Sequence, residues 1–461
     1  MFFGRQMNIQ VPGNFFIEIR QIFTELTPLK GEINKLGNNF FISDEAERIH
    51  TESNVIDIHC HPSLKVNLFD YKIYLPEHHY LFFDIESPKK DEIFHMQYDL
   101  PKMCAGGVKG IWDSIYIVER GLIDHSDPLK FAYWLTKGLG LKFDRAVENN
   151  ETPDKPFYQT LQLMETMEAQ MINAQKKGFN AIYARSFDEF QQGIRDGKIC
   201  FVHSIEGAHI LGNCLSDPNV YLQRIESLSY SGVCSITLGH FMPNSICFPP
   251  NGISPLTKEH MGFHYNYEPN TYIGLTQTGK DVVSLMLDLG MIVDLNHVSP
   301  AGRTDVYSLN EARGSGNMRP LVFSHIGIRE YIPNELSAPD EREILKIRDC
   351  NGVIGVIFMN YWLKGTESGQ DEGIDNIIQT IQRIAQICAE TSSTYEDDLN
   401  YNHIAIGSDM DGFTQPVDDL YKASQMQRLT QRMLDKGIKE ENIKKVLGGN
   451  AMRVLELGWG K

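Results

Sequence analysis

Short apolar runs rich in β-branched residues recur along the chain and alternate with longer stretches of helical character. The runs lie near Asn54–His61, Val108–Val118, Ile199–Glu206, Val233–His240, Met291–His297, Leu321–His325, Val353–Met359 and His403–Asp409. Their length and composition predict eight strands. Helices are predicted at Pro156–Lys177, Ser186–Asp196, Val220–Tyr230, Gly279–Leu289, Asp340–Asp349, Asp375–Thr391 and Leu420–Lys436. Ser186 with Glu189 fits a capping box, and Gly437 fits a C-terminal stop. Eight strands alternating with helices predict an α/β fold, a (β/α)8 TIM-type barrel with its active site at the strand C-termini. An open doubly wound sheet is the alternative, weakened because no Gly-rich phosphate loop follows the first strand. Three connections are too long for simple loops: Pro62–Gly107, Glu119–Lys198 and Phe241–Thr278. The second carries helices; the other two follow strands one and four and are expected to cover the barrel mouth. Residues 1–50 read as an N-terminal extension packed on the barrel or on a second subunit, and residues 51–461 as the barrel.

Composition narrows the function. The 461 residues can bury a large core, and 42% hydrophobic with 22% charged residues is ordinary for a soluble globular protein. A net charge of −17 without basic clusters argues against nucleic-acid binding. No apolar run reaches membrane-spanning length, since Val282–Leu295 is interrupted by Asp288 and Asp294. The segment Met1-Phe2-Phe3-Gly4-Arg5-Gln6 lacks the basic-then-apolar order of a secretion signal. The eight cysteines form no CxxC, and Cys60, Cys200 and Cys234 lie in strand-like runs as small hydrophobes. These features predict a reduced, cytoplasmic setting with neither membrane nor nucleic acid as partner.

The candidate chemistry gathers at strand ends. Asp57-Ile58-His59-Cys60-His61 closes the first strand, where alternation points His59 and His61 one way and Ile58 and Cys60 the other. An isolated pair of this kind can be chance. Here strand three ends in Glu206, strand four in His240, strand five in Asp294-Leu295-Asn296-His297, strand six in His325 and strand eight in Asp409. Each alone could be a structural hydrogen-bonding or capping residue; six at one end of a barrel read as a metal site. Alternation places Val202, Ser204 and Glu206 inward and His203 against the helices. By the same count His297 is inward, and Asp294 and Asn296 are outward. His78, His79, His260 and His264 lie in the insertions and read as solvated or loop-packing residues.

Four imidazoles around one carboxylate are too many for a single tetrahedral zinc that keeps an open position. They predict two divalent ions, zinc being the expected metal, bridged by Glu206 with His59 and His61 on one and His297 and His325 on the other. A bridging water or hydroxide would be the nucleophile for an amide bond. Asp409 is placed to take its proton, or to ligate the first ion, and His240 to steady the developing oxyanion.

These residues resemble the membrane dipeptidase (renal dipeptidase) family of binuclear zinc peptidases, within the amidohydrolase superfamily. The resemblance runs from about Val55 to Leu457. It includes Tyr98-Asp99-Leu100-Pro101-Lys102, Trp112-Asp113-Ser114-Ile115-Tyr116, Ile205-Glu206-Gly207-Ala208-His209 and Leu238-Gly239-His240. Gly274–Gly279, Asp294–Ser299, Phe323-Ser324-His325, Gly407–Gly412 and Gly448-Gly449-Asn450 follow in order. It implies a barrel, dimeric as a rule, that hydrolyses dipeptides with two zinc ions. His59 and Glu206 would serve one zinc, and Glu206, His297 and His325 the other, with His240 and Asp409 substrate-contacting and catalytic.

Three departures bear on specificity. His61 stands where the family has an aspartate, which keeps a ligand but removes a charge. Ile332-Pro333-Asn334-Glu335-Leu336-Ser337 lacks the arginine that recognises the dipeptide carboxylate in the family, and Arg329 is the candidate replacement. Phe358-Met359 replaces an aromatic Phe-Tyr pair. A non-peptide amide, cyclic amide or lactone is therefore the alternative substrate class. A catalytically silent metal-binding barrel is the third reading, opposed by the retention of Glu206 and Asp409.

Overall fold

The structure is a computed structural model that describes residues 40–75, 95–126, 130, 133, 145–148, 152–250, 271–363, 373–412 and 416–460. Most of the expected extension, and His78, His79, His260 and His264, lie outside these residues. The described residues contain nine strands: β1 (Val55–Cys60), β2 (Val108–Ile115), β3 (Ala181–Tyr183), β4 (Ile199–Glu206), β5 (Val233–Thr237), β6 (Ile292–Asp294), β7 (Leu321–Ile326), β8 (Val353–Val356) and β9 (Ile404–Ile406). All pair in parallel in the order β2-β1-β9-β8-β7-β6-β5-β4, and β2 pairs back onto β4 to close an eight-stranded barrel. Helices separate the strands, so the molecule is the expected (β/α)8 barrel.

The ninth strand lies outside the ring. Since β2 takes one edge of β4 along Cys200–Ile205, β3 and β5 share the other in succession, at Ile199–Phe201 and His203–Glu206. Its three residues fell within a connection that the sequence pattern marked only as helical. The expected helices appear with shifted ends, except that the last begins at Gln427 instead of Leu420. Ser186 caps its helix through Glu189 N–H, but the Glu189 carboxylate accepts from Arg185 N–H, so the box is only half formed. Asp340 and Glu343 form both halves of such a box.

An unexpected helix, Asp44–Glu52, runs across the expected boundary at residues 50 and 51. His50 ties it to the Gly106 carbonyl and the Thr430 hydroxyl at 2.8 and 2.7 Å, and Ser43 N–H donates to Gln431. This part of the extension is thus built into the barrel wall.

One buried cluster draws residues from all eight barrel strands: Ile56, Ile58, Trp112, Val202, Cys234, Ile292, Val322, Val353 and Ala405. A set contributed from every strand marks the barrel interior. Ala451, Val454, Leu455 and Trp459 join it, so the helix Asn450–Gly458 caps the N-terminal end as a floor. Among the described residues no helix is long and apolar enough to cross a membrane.

His403, just before β9, is 6% exposed, and burial pushes its imidazole down to about 4 from the ordinary 6.5. Between those values the unfolded chain binds a proton that the folded protein refuses, so stability falls as pH drops through 6.5 toward 4. The shift corresponds to about 3 kcal/mol at most. His403→Asn keeps a donor for the Gly352 carbonyl, which His403 Nδ1 approaches at 3.0 Å, and removes the titration. Denaturant unfolding at pH 7 and pH 4.5 should show a smaller loss in the variant. Equal losses would discard the assignment.

Candidate metal centre

At the mouth, the strand register decides which side chains meet. Ile58 belongs to the interior cluster, yet His59 also turns inward, so two consecutive side chains share a side. A register shift against β2 between Asp57 and Cys60 produces this, and it overturns the simple alternation expected there. On β4 alternation holds. Glu206 points inward two residues beyond Ser204, while the His203 ring stacks on Tyr183 of β3 at 4.1 Å.

The expectation for Asp294 is corrected. Glu206 pairs with Thr237, and Thr237 with Asp294, so the three share the inward face. The count failed because β6 stops at Asp294 and His297 follows in a turn with φ +59°, which breaks alternation.

Four imidazoles surround the Glu206 carboxylate. Oε1 lies 3.5, 3.4 and 3.5 Å from Nε2 of His59, His297 and His325, and Oε2 lies 3.3 Å from Nε2 of His61. The Nε2 atoms of His59 and His61 are 3.0 Å apart, and those of His297 and His325 are 3.1 Å apart. Two nitrogens bound to one tetrahedral zinc would stand about 3.3 Å apart. Asp409 Oδ1 lies 3.3 Å from His61 Nε2 and 3.8 Å from His59 Nε2. All of these side chains are buried.

Their remote nitrogens show which way the protons point. His61 Nδ1 is 2.8 Å from the Ser114 carbonyl, which can only accept, so Nδ1 carries a proton and Nε2 offers the lone pair when the ring is neutral. His325 Nδ1 is 2.9 Å from Ser324 Oγ, whose hydroxyl donates to Asp294 at 2.6 Å, again leaving Nε2 free. Lone pairs and a carboxylate converging in a dry site repel unless a cation lies among them. The donor set therefore fits divalent metal, in the groups His59, His61 and Glu206, and Glu206, His297 and His325. A third possible group, His59, His325 and Asp409, keeps Asp409 open as a ligand. Although burial favours the neutral acid, the His240, His59 and His61 rings, when protonated, hold Glu206 well below the carboxylate range. Burial instead raises Asp409, with His61 partly opposing.

His240 faces Glu206 Oε2 at 3.7 Å through Nε2, while its Nδ1 is 2.7 Å from Glu119 Oε2. Sequence reasoning missed Glu119. It follows the second strand, and a carboxylate at that strand end was the available signal. It also accepts from the Phe241 and Met242 N–H groups and from the Tyr116 hydroxyl. Burial opposes its charge, but His240 beside it holds the carboxyl at about 2. Phe241 and Trp362 wall the second imidazole pair, with ring centroids 5.4 and 6.0 Å from His297.

Arg329 is not brought to this cluster by any contact among the described residues. Its Nε and Nη2 donate to the Leu336 and Ala338 carbonyls at 2.7–3.0 Å, and it faces Glu343 at 3.8 Å.

Barrel topology and buried strand-end donors together define a (β/α)8 barrel with a candidate metal centre at its mouth. The profile of the membrane dipeptidase family, peptidase family M19, matches residues 43–457, and the chain belongs to that family. It is 26% identical over 272 residues to dipeptidase tcpJ of Claviceps purpurea, covering 59% of this chain and 54% of that protein. It is 27% identical over 273 residues to dipeptidase verJ of Clonostachys rogersoniana, covering 59% of each. The aligned region spans little more than half the length of these curated relatives. Among solved structures, a metallopeptidase from Rhodobacter sphaeroides liganded with a phosphinate mimic of the dipeptide L-Ala-D-Ala superposes with a TM-score of 0.60. That match covers 88% of this chain and 99% of the other at 20% identity, a likeness of fold.

Proposed function

We propose that this protein is a metal-dependent hydrolase of amide bonds with dipeptidase-type activity. The observation that carries the reading is the convergence of four imidazole Nε2 atoms on one buried carboxylate, Glu206, with Asp409 beside the first pair. Membership of the dipeptidase family and the dipeptide mimic bound by the Rhodobacter protein support the substrate class. His59, His61 and Glu206 would hold one divalent ion, and Glu206, His297 and His325 a second, with zinc suited to imidazole-rich donors. When bound, such ions polarise a carbonyl and lower the pKa of an attacking water.

The chain's own residues supply the rest. Asp409, desolvated and a few ångströms from the first imidazole pair, accepts the proton of the attacking water and returns it to the departing nitrogen. Glu119 fixes the proton of His240 on Nδ1 and balances the charge of a doubly protonated ring. Nε2–H then donates to the carbonyl oxygen as charge develops there. Phe241 and Trp362 exclude water beside the second pair. The reading extends to a cytoplasmic homodimer acting on a dipeptide or small amide.

A second substrate class is favoured by one contact set. A dipeptide carboxylate in a partly dry pocket calls for a bidentate cation, and Arg329 commits its Nε and Nη2 donors to Leu336 and Ala338. A substrate with a neutral end, such as a blocked dipeptide, cyclic amide or lactone, escapes that requirement. The test compares kcat/KM for a dipeptide and its C-terminal amide, with and without chelator. Chelator-sensitive hydrolysis of both, within about tenfold of one another, is expected. Strong preference for the free acid, abolished by Arg329→Met, would restore Arg329 as the anchor. A metal-loaded protein that cleaves neither these nor cyclic amides and lactones would end the hydrolase reading.

A further inference from the structure

The two imidazole pairs are supported in different ways. Ser114, on β2, is 1% exposed and is the register partner of Ser204 on β4. Its Oγ lies 3.0 Å from His59 Nδ1 and 3.1 Å from Ser204 Oγ, and its carbonyl oxygen lies 2.8 Å from His61 Nδ1. One residue therefore touches the remote nitrogen of both imidazoles in the first pair. For His59 Nε2 to act as a ligand, its Nδ1–H must donate to Ser114 Oγ, which leaves the Ser114 hydroxyl to donate to Ser204 Oγ. In the second pair, His325 is held through Ser324 and Asp294, without Ser114. The main-chain contact also suits an imidazole at position 61, because a carboxylate has no N–H for that carbonyl.

We propose that Ser114 is a positioning residue that sets the metal affinity of the His59, His61 and Glu206 half-site independently of its neighbour. This rests on the reading of the cluster as a metal centre. With the hydroxyl removed, His59 Nδ1–H loses its acceptor in a place closed to water. The ring is then free to turn or to move its proton to Nε2, where it would block coordination. The Ser114 carbonyl survives the change, so His61 and the β2 backbone keep their hydrogen bonds.

The experiment titrates apoprotein with Zn2+ against a chromogenic chelator. Wild type is expected to bind two equivalents. Ser114→Ala should weaken one of them by roughly 10- to 100-fold, the usual effect of losing a hydrogen bond behind a ligand, and leave the other within about twofold. Ser114→Thr, which keeps a hydroxyl, should restore it. Adding His61→Ala to Ser114→Ala should cost less than His61→Ala alone, whereas adding His325→Ala should weaken the remaining equivalent additively. Equal weakening of both equivalents, unchanged binding, or failure of the threonine to restore it would overturn the role of Ser114 while leaving the metal centre standing. No metal on wild type would overturn both. If Ser114→Ala does not fold, imidazole 15N shifts of wild-type apoprotein decide the matter. Protons on Nδ1 of both His59 and His61 support the proposal, and a proton on His59 Nε2 overturns it.

Discussion

Glu206→Gln is expected to reduce bound metal from about two equivalents to less than about half of one, and to lower kcat/KM by roughly 10³-fold or more. Glutamine has the same shape, so packing around residue 206 survives and the loss is electrostatic. Oε1 is shared by His59, His297 and His325, and Oε2 by His61, so this carboxylate lies within 3.5 Å of all four imidazoles. An amide leaves one oxygen and turns N–H groups toward nitrogen lone pairs. Elemental analysis of the purified variant, with steady-state kinetics, is the measurement. One full equivalent surviving the change would exclude a bridging role.

Asp409→Asn should act on a different quantity. Asparagine fills the same space but cannot accept a proton at neutral pH, so kcat should fall by roughly 10²-fold or more, with KM and metal content nearly unchanged. The surroundings support a side chain held in one place. Asp409 N–H donates to the His59 carbonyl at 2.9 Å, and a Cβ on Gly412 would come within 2.5 Å of Asp409 Oδ1. Loss of metal from the variant would make Asp409 a ligand first. Unchanged kcat would remove it from the mechanism.

Much of this site was legible because barrel chemistry gathers at strand ends, and imidazoles and carboxylates stand out against apolar runs. His59, His61, Glu206, His240, His297, His325 and Asp409 meet in space as their positions suggested. What failed depended on where each strand actually stops. Asp294 was assigned to the wrong face because the left-handed turn at His297 is invisible in the hydrophobic pattern. Ser114 and Ser324 carry no sequence signal of support, since a hydroxyl reveals its partner only once register brings β1, β2, β4 and β7 together. Arg329 was near enough in sequence to His325 to suggest an anchor. The direction of its guanidinium, toward Leu336 and Ala338, is a property of loop packing and not of spacing. Strand β3 and the helix Pro62–Phe69 were missed because three residues, or a segment buried on every side, show no period.

The floor formed by Asn450–Gly458 constrains the order in which the chain matures during synthesis. β1 is made early, yet its inner residues Ile56 and Ile58 share their cluster with Ala451, Val454, Leu455 and Trp459. Its outer edge waits for β9, and Ser408 N–H closes onto Asp57 across 351 positions in sequence. A nascent chain on the ribosome therefore carries His59 and His61 long before the cylinder behind them is sealed. Long-range closure of this kind is slow and leaves apolar edges open to other chains. Chaperone dependence should accordingly be greatest until Asn450–Gly458 has left the exit tunnel.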